Sequence, residues 1–143
     1  MSFRRLALGI LLSVSVPAMS LAQPADTASR LSLELNTLQD VEGACRLTFV
    51  VGNDTGIQID KAVFETVIFD TAGAVVSLSL FNFRDLPAAR TRVRQFELPE
   101  TACDTVGRAL INGASSCLVD GTENAVCEDA LTLSSRVAVE LLG

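Results

Sequence analysis

The sequence predicts an all-β sandwich behind a cleaved signal peptide, and three observations lead there. An apolar run follows two arginines at the N-terminus, and seven β-like segments then succeed one another at short spacing with turn residues between them. No stretch sustains the 3.6-residue apolar period of a helix. Seven short strands rich in β-branched and apolar residues are the pattern of a seven-stranded immunoglobulin-like sandwich.

Residues 1–22, MSFRRLALGILLSVSVPAMSLA, supply each part of an export signal: Arg4 and Arg5 as the charged n-region, Leu6 to Val16 as the apolar run, and Ser20-Leu21-Ala22 as a small-x-small cleavage site. A membrane anchor needs about 20 apolar residues; this run is shorter and is broken by Pro17. Stable membrane insertion after cleavage is therefore not expected. The short n-region favours the general secretory route over the twin-arginine route that Arg4-Arg5 would also fit. The first cysteine, Cys45, lies far beyond the cleavage site, which argues against lipid attachment. Residues 23–143 should form a single β-sandwich domain in the periplasm. The signal holds two of the eleven basic residues and none of the seventeen acidic ones, leaving nine against seventeen, a net charge of −8. Such a surface repels nucleic acid and anionic lipid.

The strands follow in order. LSLELNTL (31–38) alternates Leu31, Leu33 and Leu35 with polar residues, the period-2 pattern of a half-buried strand. CRLTFVV (45–51) does the same with Cys45, Leu47, Phe49 and Val51. The turn GNDTG leads to IQIDKAVFETVIF (57–69), and Asp70-Thr71-Ala72-Gly73 turns the chain into AVVSLSLFNF (74–83). A loop around Pro87 precedes TRVRQFEL (91–98); TVGRALIN (105–112) and LTLSSRVAVELL (131–142) complete the seven. Residues 113–130 lack strand character and read as a long loop.

Four cysteines in an exported chain favour disulfides, and none has the C-x-x-C spacing of a zinc knuckle or a redox pair. Strand direction selects among the three connectivities. If the strands alternate, the second and sixth run the same way in opposite sheets, so Cys45 and Cys103, both at strand beginnings, meet at one end. Cys117, placed after the sixth strand, then pairs with Cys127 at the other end.

Histidine is absent, which removes Ser-His-Asp and Cys-His catalysis and His-ligated metals. Tyrosine and tryptophan are absent too, so the usual stacking platforms for sugars and bases are missing. VIFDTAG (67–73) is close to an aspartic-protease motif, but Ala72 separates Thr71 from Gly73, and the chain would have to dimerise to pair two Asp70 carboxylates. A hairpin turn headed by Asp70 is the simpler reading. Arg90, Arg92 and Arg94 alternate on one strand face near Arg84 as a candidate anion site, or as a solvated face that discourages edge pairing. The oxygen-rich run 120–129, with Asp120, Glu123, Asn124, Glu128 and Asp129, lacks the residue order of a calcium-binding EF-hand loop.

With strands and cysteines placed, GACRLTFVVGNDTG, VIFDTAGAVV and CDTVGRALIN with its two following cysteines resemble a group of small exported alphaproteobacterial proteins labelled signal-sequence-domain or Tat pathway signal proteins. The resemblance covers nearly all of residues 23–143 and implies an exported β domain, with no activity and no catalytic residues carried across. The expectation is a non-catalytic periplasmic accessory or interaction module without a cofactor, its partner an envelope protein. Two alternatives remain open: a dimeric aspartic-type acid hydrolase using Asp70, and an anion-binding module using Arg90, Arg92 and Arg94.

Overall fold

The computed structural model describes residues 28–143, so the expected signal peptide at 1–22 lies outside the described residues. Six long strands come first: β1 (Arg30–Val41), β2 (Ala44–Asp54), β3 (Ile59–Asp70), β4 (Val75–Leu86), β5 (Arg90–Pro99) and β6 (Val106–Val119). The short strands β7 (Thr122–Glu123), β8 (Leu131–Ser135) and β9 (Glu140–Leu142) follow, with a four-residue helix α1 (Val126–Asp129) before β8. One sheet has the order β5-β2-β1-β8 and the other β4-β3-β6, with β7 and β9 both paired to β6. The β1-β2, β2-β5, β3-β4 and β3-β6 ladders are antiparallel. The two sheets form the expected sandwich.

Alternation built these strands as the sequence implies. Leu31, Leu33 and Leu35 of β1 and Cys45, Leu47, Phe49 and Val51 of β2 are all buried, facing Phe64, Ile68, Ala109 and Ile111 of the second sheet. Five phenylalanines fill the half of the core beneath β4 and β5. Phe49 meets Phe81, Phe83 and Phe96 edge-on, with centroids 6.1, 5.5 and 5.9 Å apart. Phe64 meets Phe83 at 5.6 Å, and Phe81 stacks on Phe96 at 4.2 Å, linking the edge strands of the two sheets. Such pairs add about 0.5–1.5 kcal/mol each beyond the area they bury.

Two segments depart from expectation. The run 113–130 is not a long loop: β6 continues to Val119, because pairing with β3 as far as Lys61–Leu118 supplies what Gly113, Ala114, Ser115 and Ser116 lack in strand preference. Asp120 and Gly121, with φ of 49° and 72°, then form a two-residue hairpin turn into β7. The segment 131–142 divides between the sheets, β8 running parallel to β1 and β9 parallel to β6. Its apolar alternation is continuous, but the Ser135 hydroxyl donates to Val139 O at 2.6 Å and accepts from Val137 N at 3.3 Å. A side chain that bonds local backbone competes with the ladder, and here it breaks the strand.

Both disulfide pairings agree with the strand-direction reasoning. Cys45–Cys103 joins the start of β2 to the turn before β6, Cα to Cα 4.9 Å, and Cys117–Cys127 ties β6 to α1 at 6.0 Å. The position expected for Cys117 is corrected, however. It lies inside β6, opposite Ala62 and 2% exposed, and Cys127 is fully buried, so this bridge belongs to the core.

Candidate functional site

The outer face of the second sheet carries an unusual inversion on β4. In the sequence AVVSLSLFNF, burial alone would turn the leucines in and the serines out. The structure does the reverse: Val76, Leu78 and Leu80 are 55%, 60% and 60% exposed, while Ser77 and Ser79 lie on the inner side. Phe81 and Phe83 explain the register. Both are buried in the aromatic cluster, and a strand has a period of two, so seating them inside forces residues 78 and 80 outward.

The exposed residues do not stand alone. Leu78 is opposite Val67 of β3, Val67 is opposite Leu110 of β6, and Leu110 is opposite Leu142 of β9, so one apolar row crosses four strands. Polar contacts border this row on both sides. Asn112 Nδ2 donates to Glu65 Oε1 at 2.5 Å, and the Arg108 guanidinium lies 4.8 Å from the centre of the Phe69 ring. An apolar centre with a polar rim is the composition of an interaction surface. From Thr71 to Phe83 the chain carries no charged residue.

The sequence-selected residues fall elsewhere. Asp70 sits in the β3-β4 hairpin, where its Oδ1 accepts the N–H groups of Ala72 at 2.9 Å and Ala74 at 2.8 Å, closing the turn. Gly107 of β6 runs so close to the Asp70 carbonyl that a Cβ there would collide with backbone. Arg92 and Arg94 share the inner side of β5 with Phe96 and Leu98, at the open mouth between the sheets. Arg94 donates from Nε to Phe83 O at 2.6 Å and from Nη2 to Asp85 O at 3.0 Å, with the Asp85 carboxylate 3.6 Å away. It thereby clamps the end of β4 to β5. Arg92 reaches Thr91 O at 3.3 Å, and Arg90 is exposed at the strand start. The structure brings Arg84, not Arg90 or Arg92, to Arg94: both line a groove of about 540 Å³ between β4 and β5, with Phe96 also lining it.

The acceptors of the oxygen-rich run 120–129 mostly hold the neighbouring strand β6. Glu123 accepts from Cys117 N at 2.9 Å and Ser116 Oγ at 3.0 Å, Glu128 from Ala114 N at 3.2 Å, and Asn124 from Val126 N at 2.9 Å. Sequence reasoning missed a structural centre at Asn53, buried to 1% exposure. Its Nδ2 donates to Ile57 O at 2.8 Å and Leu86 O at 2.6 Å, and its Oδ1 accepts from Thr55 N and Thr55 Oγ1 at 3.1 and 2.7 Å. One amide holds the β2-β3 turn against the end of β4.

No family model matches the chain, and no curated protein does. Among solved structures it is similar to a DUF1425 family member from Shewanella sp. pv-4, at 17% identity and a TM-score of 0.39, over 51% of this chain and 66% of that one. The chain thus spans just under two thirds of that neighbour, and at this TM-score the likeness carries no argument. The compartment follows from the bonds themselves: two disulfides and no free cysteine mark an oxidising, extracytoplasmic setting. Among the described residues no helix is long and apolar enough to cross a membrane.

Proposed function

We propose that the protein is a non-catalytic module exported to the periplasm, where it acts as an accessory or interaction component of the envelope through the outer face of its second sheet. The observation that carries this reading is the inversion on β4: leucines face water and serines face the sandwich, on a strand whose neighbours extend the apolar row to Leu142. Exposed apolar surface of this kind is retained where something covers it. The export signal expected at residues 1–22 and the two disulfides support the periplasm, and the resemblance of three motifs to small exported alphaproteobacterial proteins fits the same role.

The test is a photo-crosslinking side chain placed at Leu78 in the full-length chain expressed in bacteria, with Gln95 on the outer face of the other sheet as control. Adducts from position 78 and none from 95 are expected. Absence of any adduct at 78 contradicts the reading, as does a turnover activity of the purified protein that one point change abolishes. An acid hydrolase built on Asp70 gains no support from a carboxylate engaged in its own turn.

The groove beside Arg84 and Arg94 favours one further reading, an anion site that keeps Arg94 of the expected stripe and replaces Arg90 and Arg92 by Arg84. Sulfate titration followed by NMR, wild type against Arg84→Glu, decides it. Shifts at Arg94 and Gln95 that vanish in the variant support the site, and unchanged spectra reject it.

A further inference from the structure

We propose that the free edge of β4, which borders this surface, pairs with a second copy of the chain as antiparallel strands centred on Leu78, setting the two apolar outer faces side by side. The proposal rests on the reading above that β4 belongs to an interaction surface, and it names the partner of that strand's edge.

The four sheet edges differ sharply. β5 carries inward-pointing arginines and ends at Pro99, both of which discourage strand addition. β8 offers five residues, and the far side of β6 is covered in part by β7 and β9. β4 alone is long, at twelve residues, and free of charge from Val75 to Phe83. Within it Ser77–Phe81 pairs with Phe64–Ile68 without a register break, so the strand presents a regular edge. An exposed, regular, apolar edge is a template for another strand.

Its side-chain order is self-complementary. Antiparallel pairing about a two-fold axis at Leu78 sets Leu78 against Leu78 and Val76 against Leu80 on the outer face. Ser77 meets Ser79 on the inner side. Every pair joins like with like, apolar with apolar and hydroxyl with hydroxyl, which are the cross-strand pairs that stabilise sheets. Moving the centre to Ser79 would set Ser77 against Phe81 and Val76 against Asn82, a poorer match. The net charge opposes self-association at long range, and the paired segment is the stretch that contributes none of it. Two Asp70 carboxylates would stand at opposite ends of such a dimer, so this pairing is not the one an aspartic hydrolase needs.

Sedimentation velocity of the protein purified from the full-length chain should show a dimer. Leu78→Lys, which places like charges opposite each other at the axis, should weaken its Kd by at least about tenfold with the melting temperature nearly unchanged. Val76→Lys is the second variant should the first melt low. A wild-type protein that stays monomeric at every concentration overturns the proposal, as does a dimer that both variants leave intact. The mass of the adduct from the Leu78 photo-crosslinker separates the two readings. Twice the chain mass supports self-pairing. An adduct of any other mass overturns self-pairing while the interface stands, and no adduct overturns both.

Discussion

Replacing Cys117 and Cys127 by serine should destabilise the protein more than replacing them by alanine, and the difference measures how deeply the bridge is buried. Constraining the unfolded chain across a separation of ten residues contributes about 2.7 kcal/mol, against about 4.2 kcal/mol for the 58-residue separation of Cys45–Cys103, a gap of about 1.5 kcal/mol. Alanine pairs should reproduce that ranking. Serine brings a hydroxyl to each site, and an unpartnered buried hydroxyl costs about 1–3 kcal/mol. At 117 and 127 both positions are buried, whereas Cys45 is buried and Cys103 is partly exposed. Two such penalties apply to the short bridge and one to the long, so the serine pairs should close the gap or invert it. Equilibrium urea unfolding of the four double variants gives the numbers. If the serine and alanine variants at 117 and 127 prove equally stable, the bridge is wetter than the structure shows and the reasoning fails. A larger loss for the short pair in the alanine series would contradict the chain-constraint ranking itself.

Asn53→Ala should cost about 1–3 kcal/mol in urea unfolding, because it leaves the buried Leu86 carbonyl without its side-chain donor; Asn53→Asp should cost more, setting a carboxylate against two carbonyl oxygens. Gly107→Ala should lower the melting temperature by pushing β6 away from the Asp70–Thr71 turn, and no change in melting would refute that close approach. The Asn36 amide, and after it Arg136, hold the Glu34 carboxyl below its ordinary value of 4.5, while burial opposes them. A depressed acid contributes stability above its unfolded value, lost as pH falls from about 4.5 through the lower folded value. Glu34→Gln should therefore flatten the acid limb of a melting-versus-pH curve, and an unaltered limb would count against the contact.

Period-two alternation was legible wherever one face of a strand is buried and the other wet, as at Leu31–Leu35 and Cys45–Val51, and strand direction led to the right cysteine pairs although Cys117 lies inside β6 and not beyond it. What escaped had physical reasons. The small residues 113–116 show no strand preference and take their conformation from β3, although Asp120-Gly121 was a readable hairpin signal. Ser135 splits an apolar alternation that is otherwise unbroken. The β4 surface was hidden by a conflict inside one strand: Val76, Leu78 and Leu80 compete with Phe81 and Phe83 for the core, both sets cannot be inside, and only packing against Phe49 and Phe96 decides for the rings. Asn53 looked like a turn residue because nothing local shows that Leu86, 33 positions away, lies against it.

Hydrogen exchange along β4 tests the central claim, that this edge is occupied in the working protein, most directly. The amides of residues 75–82, read by peptide mass in protein purified from the full-length chain, should gain protection as concentration rises, while those of 131–135 on the β8 edge stay constant. Leu78→Lys should abolish the gain. Exchange over 75–82 that is as fast as over 131–135 at every concentration, and indifferent to Leu78→Lys, would contradict the account.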